Sequence, residues 1–211
     1  MNSRFIGLLL ITCICICACN DPTEHVKNYY DNGQLSEQYT RDKITYAKQG
    51  NYVKYNSQGI PIEESNYVND TLSGRRKLYR DNGQLHIVEH YDEKGQFSGV
   101  YQAYYENGVL ELEGNYVDGA MTGTWVRYYQ NEQKMETVSF KDNAENGPFV
   151  EWHDNGQLKA EGEYLDGDKE HGPLLLYDRQ GVLERRMSCD KGVCRTTWQR
   201  DSINTDTRST E

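Results

Sequence analysis

The chain has 211 residues, 33 acidic against 23 basic side chains and a net charge of −10. Such an acidic body repels nucleic-acid phosphates and anionic lipid headgroups, and no clustered basic stripe offsets it, so nucleic acid is not an expected partner. Seventeen tyrosines against four prolines give a surplus of amphipathic aromatic surface suited to strands.

Residues 1–18 read as a secretory signal peptide. Arg4 supplies the positive end, and the apolar run Phe5–Ala18 is short for a membrane span of about 20 residues. The run ends in ICAC, Ile16–Cys19, with small Ala18 before Cys19 and polar Asn20–Asp21 after it. This resembles the lipobox of bacterial lipoproteins, although Ile16 and Cys17 depart mildly from its commonest form. The resemblance implies cleavage before Cys19, lipidation of that residue and a chain tethered to a membrane without threading through it. The implied location is the bacterial cell envelope. Asn20 in place of aspartate after the cysteine favours the outer membrane. Residues 19–25 read as a short tether and residues 26–198 as the folded array.

The pentapeptide DNGQL stands at Asp31–Leu35, Asp81–Leu85 and Asp154–Leu158. It marks a repeat, the first feature to test in a chain of this kind. Glycines open the units at Gly50, Gly74, Gly99, Gly123, Gly147 and Gly172, at spacings of 24, 25, 24, 24 and 25. Nine residues after each come the turn markers Gly59, Gly83, Gly108, Glu132, Gly156 and Gly181, with Gly33 as the marker of a partial first unit. Only Glu132 breaks the glycine rule.

Three aromatic columns keep this register. The first holds Tyr52, Tyr101, Trp125 and Phe149, with Arg76 and Leu174 as the unlike members. The second holds Tyr55, Tyr79, Tyr104, Tyr128, Trp152 and Tyr177. The third holds Tyr67, Tyr91, Tyr116, Phe140 and Tyr164, ending in Cys189. Asn-Gly between extended aromatic segments predicts a β-hairpin with a tight two-residue turn. In the most complete unit the first strand is predicted over about Thr124–Tyr129, the turn near Asn131–Glu132 and the return over Lys134–Phe140. A second loop, often Asp-Gly, leads onward. The glycine and Asn-Gly content at each period excludes helices. The predicted fold is all-β: tandem β-hairpin repeats forming an elongated, twisted antiparallel sheet of some thirteen strands, about 60 Å across before twist.

These columns resemble MORN repeats, in the bacterial variant often described as the YwqK-type antitoxin family. The stretches that carry the resemblance include GTWVRYYQNEQKMETVSF, NGVLELEGNYVDGAMTG and NGQLKAEGEYLDG, within a span of about residues 26–191. It implies tandem hairpins in an elongated antiparallel sheet, an architecture that serves unrelated proteins as a scaffold.

The last unit ends in MSCDKGVCRTTW. In an oxidising compartment, Cys189 and Cys194 are expected to form a disulfide closing the final turn, worth about 2 kcal/mol. A free redox pair and metal ligation are the alternatives, but the spacing is not CxxC and no second ligand pair is evident. Residues 199–211 are polar and read as a disordered tail.

Catalytic groups are not evident. His86 and His90 share a strand face but lie two pleat repeats apart. His153, beside a turn, reads as solvent-exposed. Glu64, Glu113 and Glu161 share one column, yet Thr137 and Arg186 interrupt it, and a regular ladder lacks the two distinct environments a glycosidase needs. No catalytic, metal or cofactor residue is therefore predicted. The expected function is a noncatalytic, lipid-anchored envelope scaffold that binds another protein or an envelope polymer. The unlike positions Arg76, Lys134 and the irregular segment Thr40–Gly50 would carry specificity. A carbohydrate-binding module or glycan-acting enzyme is the second reading, and an antitoxin-like or immunity-like protein the third.

Overall fold

The computed structural model describes residues 21–201. The signal-peptide and Cys19 readings lie outside them, as does most of the polar tail. Hairpins follow one another: β1 (Thr23–Tyr29) with β2 (Leu35–Asp42), then β3 (Lys48–Tyr55) with β4 (Pro61–Val68). After β5 (Thr71–Leu72) come β6 (Gly74–Tyr79) with β7 (Leu85–Tyr91), β8 (Gly99–Tyr104) with β9 (Leu110–Val117), and β10 (Ala120–Tyr128) with β11 (Lys134–Lys141). The last are β12 (Ala144–Trp152) with β13 (Leu158–Tyr164), β14 (Glu170–Tyr177) with β15 (Leu183–Asp190), and the closing strand β16 (Val193–Gln199). They form one sixteen-stranded antiparallel sheet in chain order, with β5 a short addition to β4.

The all-β repeat architecture is thus as expected, but the strand count is higher than thirteen. Short β5 is one of the three extra strands, and the chain ends supply the other two. The first unit is a full hairpin whose strand opens at Thr23, inside the stretch read as a tether. At the other end, β16 pairs with β15 and runs through Gln199, the first residue assigned to the tail.

The turn chemistry corrects the sequence reading. At DNGQL the loop has five residues: Tyr30 N–H donates to Gln34 O at 2.8 Å, and Gly33 N–H donates to Tyr30 O at 2.9 Å. Gly33 takes a positive φ of 81° while Asn32 does not. Asn32 instead accepts the Gln34 N–H through its side chain at 3.0 Å, an Asx turn. The tight turns lie in the other loop, where two consecutive residues have positive φ: Asn69–Asp70, Asp118–Gly119, Asp142–Asn143, Asp166–Gly167 and Lys191–Gly192. That pattern matches the twist of the flanking strands. Glu132 occupies the glycine position of its turn with φ 68°. A side chain there costs about 1–2 kcal/mol, so Glu132→Gly is expected to raise stability by about 1 kcal/mol. Urea unfolding of the two proteins checks this, and an unchanged or lower midpoint would count against it.

One layer of sheet has to build its own core. Cross-strand partners define two faces. On the first, the opening aromatic column meets a second column thirteen residues on: Tyr52 opposite Ser65, Arg76 opposite Glu89, Tyr101 opposite Gly114, Trp125 opposite Val138, Phe149 opposite Gly162 and Leu174 opposite Met187. The third aromatic column lies on the same face. Tyr52, Trp125, Val138, Phe149, Ala160, Leu174 and Cys189 are buried there. In the C-terminal half these form a continuous apolar cluster that runs into the Cys189–Cys194 disulfide. The two cysteines are register partners on β15 and β16, so the bond ties down the edge strand.

Candidate binding surface

The edge of the array formed by the five-residue turns carries a side-chain ladder linking each unit to the next. At the five-residue turns, the Tyr30 hydroxyl donates to Tyr55 O, Tyr105 to Tyr128 O and Tyr129 to Trp152 O, at 2.7–2.8 Å. Arg80 Nη2 donates to Tyr104 O at 2.7 Å. His153 Nε2 lies 3.1 Å from Tyr177 O, so this histidine is a partly buried member of the ladder, not a solvent-exposed side chain. Turn asparagines add a second rung: Asn32 to Ser57 O, Asn56 to Asp81 O, Asn131 to Asp154 O and Asn155 to Arg179 O. Two signals thus coincide in DNGQL. Glycine permits the left-handed turn, and asparagine shapes it; Asn32 and Asn155 also grip the neighbouring turn, whereas Asn82 donates to Gln84 of its own loop.

The second face holds the glutamate column. Tyr128 Oη donates to Glu113 at 2.7 Å and Tyr177 Oη to Glu161 at 2.6 Å. Lys77 Nζ lies 3.3 Å from Glu64. Tyr55 receives a hydrogen bond from Gln38 at 2.7 Å. Where Thr137 takes the glutamate's place, the tyrosine of the next strand is replaced by Trp152. These carboxylates act as acceptors for a repeated tyrosine contact. Burial, followed by the Glu113 hydrogen bond, pushes the Tyr128 phenol up to about 12. The Glu161 hydrogen bond, followed by burial, does the same for Tyr177. On the first face, burial and then Glu89 raise Tyr91 to about 12, and burial with nearby carboxylates raises Tyr164 to about 12. A phenol whose folded pKa exceeds the unfolded value of about 10 contributes stability that is complete below pH 10 and is lost as pH rises toward 12. Tyrosinate absorbance should therefore rise in two phases, the later one near pH 12 and accompanied by loss of the β-sheet circular dichroism. A single phase near pH 10 with the sheet intact would contradict this.

The three positions expected to carry specificity differ in the structure. Arg76 does not project freely. Its Nε lies 2.9 Å from Glu63 and its Nη1 3.4 Å from Glu89, and Tyr91 Oη donates to Glu89 at 2.8 Å. Burial opposes its charge, but the hydrogen bond and charge of Glu63 raise its pKa and keep it protonated. It is a cross-strand clamp that replaces an aromatic side chain. Lys134 is exposed, with Nζ 6.0 Å from the Trp152 ring centre. The irregular segment Thr40–Gly50 contains the feature least explained by the sheet. Its tip exposes Ile44 (85%) and Tyr46 (61%). The tip is nevertheless ordered by its own sequence. Asp42 Oδ1 accepts from the Ile44 and Thr45 N–H groups at 2.8 and 2.7 Å, and the Arg41 guanidinium lies 4.8 Å from the Tyr46 ring centre. Beneath it, Lys48 Nζ sits 4.6–5.2 Å from the ring centres of Tyr39, Tyr52 and Tyr67. An open groove of about 550 Å³ lies on the second face of the same end, with His25, Lys27, Gln38 and Asn51 in its walls.

Sequence reasoning missed Gly114 and Gly162. Both have ordinary backbone angles, and a Cβ at Gly114 would lie 2.0 Å from Trp125 Cδ2, one at Gly162 2.9 Å from Phe149 Cε1. They make room for the Trp125 and Phe149 rings of the buried column.

Four stretches match the model of the MORN repeat variant: residues 25–43, 97–118, 121–142 and 145–166. The chain is a repeat protein that carries repeats of this kind. No curated protein matches it. Among solved structures it is similar to the crystal structure of TcdB2-TccC3-Cdc42, at 10% identity over 83% of this chain and 11% of that one, with a TM-score of 0.24. It is also similar to that of TcdB2-TccC3, at 10% identity over 84% and 14%, with a TM-score of 0.25. This chain thus spans a small part of the length of both.

Proposed function

We propose that the protein is a noncatalytic, lipid-anchored module of the bacterial envelope that binds a partner protein through the N-terminal end of its repeat array. The observation that carries this reading is the loop between β2 and β3. It departs from the repeat, its backbone is held by Asp42, and it presents Ile44 and Tyr46 to solvent. An ordered loop that exposes an aliphatic and an aromatic side chain loses little conformational entropy on binding. Such side chains supply most of the energy at protein interfaces. The MORN-variant repeats support the scaffold role, since stacked units present an extended surface. Lipidation at Cys19 would place this loop in the membrane-proximal unit, because β1 opens at Thr23.

Crosslinking in native membranes followed by mass spectrometry tests the proposal. The intact protein is compared with Cys19→Ala and with an Ile44→Asp/Tyr46→Ala double variant. One recurrent protein, lost in both variants, is the expected result. Enrichment of glycan in place of protein would favour the carbohydrate-binding reading. Recovery of a single toxin would favour the immunity reading.

A further inference from the structure

The second aromatic column, Tyr55, Tyr79, Tyr104, Tyr128, Trp152 and Tyr177, closes the first strand of each hairpin from β3 to β14, and its side chains are half-buried. One aromatic per hairpin sets neighbours two strands apart, about 9.6 Å. Three of the hydroxyls meet the strand before their own. Tyr55 on β3 accepts from Gln38 on β2, Tyr128 on β10 donates to Glu113 on β9, and Tyr177 on β14 donates to Glu161 on β13. Tyr104 donates to Gln102 of its own strand at 3.1 Å. A ring whose tip is tied to the neighbouring strand lies along the sheet, one face inward and the other toward solvent. The column is a row of fixed, evenly spaced aromatic plates.

At Tyr128 the row opens into a groove of about 550 Å³ between two successive five-residue turns, walled by Tyr128, Val109, Leu110, Asn107 and Glu132. Two departures from the repeat meet there. Asn107 Oδ1 accepts from the Val109 N–H at 3.1 Å, as its turn requires. Its amide makes no hydrogen bond among the described residues, whereas Asn32, Asn56, Asn131 and Asn155 each donate theirs to the next turn. Glu132 holds φ 68° where the other units have glycine. The chain thus keeps a carboxylate at a position where any side chain weakens the turn. Both polar groups are exposed and open to a ligand.

An aromatic plate flanked by an amide donor and a carboxylate acceptor suits a sugar ring. The C–H face of the sugar stacks on the plate, and its hydroxyls meet the polar pair. The spacing extends the match to a polymer. In a β-1,4-linked glycan each sugar is turned over relative to the last, so like faces recur at every second residue, close to the two-strand step of the column. Charge narrows the class: a net charge of −10, with Glu132 in the groove, disfavours an anionic polymer and leaves an uncharged one. We propose that the second face binds an uncharged β-1,4-linked glycan along this column, with one sugar seated on Tyr128 and its hydroxyls on Asn107 and Glu132. The surface shares no residue with the loop at Ile44 and Tyr46, so it stands or falls separately from the partner-binding reading.

Titration calorimetry on the full folded chain tests this. Chitohexaose and cellohexaose are the β-1,4-linked probes; maltohexaose, α-1,4-linked, and laminarihexaose, β-1,3-linked, are the controls. Saturable binding of at least one probe, about tenfold tighter than either control, is expected. Glu132→Gly separates binding from folding, because that variant should be more stable than the parent yet bind about tenfold more weakly. Tyr128→Leu should weaken binding at least as much, whereas Tyr128→Phe keeps the ring and should retain most of the affinity. No saturable binding, equal binding of a control, or full affinity in Glu132→Gly or Tyr128→Leu overturns the proposal.

Discussion

Replacing Arg76 with Met is expected to destabilise the fold by about 3–5 kcal/mol. The methionine fills a similar volume, so lost packing is a small part of the effect. The larger part comes from Glu63 and Glu89, whose side chains are 13% and 10% exposed and would lose their cationic partner. The position matters for a second reason. Most neighbouring strands share four or more register pairs, but β4 and β6 share only Glu63–Leu78 and Glu64–Lys77. Arg76 on β6 reaches Glu63 on β4 and Glu89 on β7, so it reinforces one of the two thinnest seams along the sheet, the other being β7 with β8. Glu63→Gln and Glu89→Gln added to Arg76→Met should recover part of the loss, because the stranded charges are gone. Guanidinium unfolding measures both effects. A change below about 1 kcal/mol for the single variant would show that the clamp is worth no more than a surface ion pair.

Gly114→Ala is expected to cost about 3 kcal/mol or more, at or above the usual range for overpacking. The new Cβ would stand 2.0, 2.3 and 2.6 Å from three atoms of the Trp125 ring. Tyr101, Tyr116 and Phe140 stand 5.7, 5.2 and 6.0 Å from it, centre to centre, and limit how far the ring can move. Gly162→Ala meets Phe149 at 2.9 Å and should cost less. Trp125→Leu tests the cause. Alone it is destabilising, but combined with Gly114→Ala it should cost less than the sum of the two. Strict additivity, or a Gly114→Ala protein within about 0.5 kcal/mol of the parent, would show that the glycine is not a fitted contact.

Both residues show how much of this fold could be read from the sequence. The period, the hairpins and the aromatic columns were legible because they recur at fixed spacing. The compensations between columns were not, because each occurs only once or twice. Arg76 looks like an exception within its own column, and its answer lies thirteen residues on at Glu89, across the hairpin. Gly114 and Gly162 occupy that same partner column and answer large rings. Reading the two columns as pairs, by volume and charge, would have found all three. The turn type was misread for a local reason. Asn-Gly serves a tight turn when both residues take positive φ, but here the asparagine side chain folds back on its own loop and reaches the next one.

The chain-order sheet also determines how the protein responds to force. Its strands are joined in series, so a load applied between the two ends runs across the ladders and opens one seam at a time, like a zip. The ladder side chains at the turns fail together with the strand they hold, and the next unit then takes the load. Each unit released adds about 24 residues, roughly 80 Å of extended chain. Held at both ends, such a ribbon is a compliant spacer that lengthens in steps and absorbs tension between its two points of attachment.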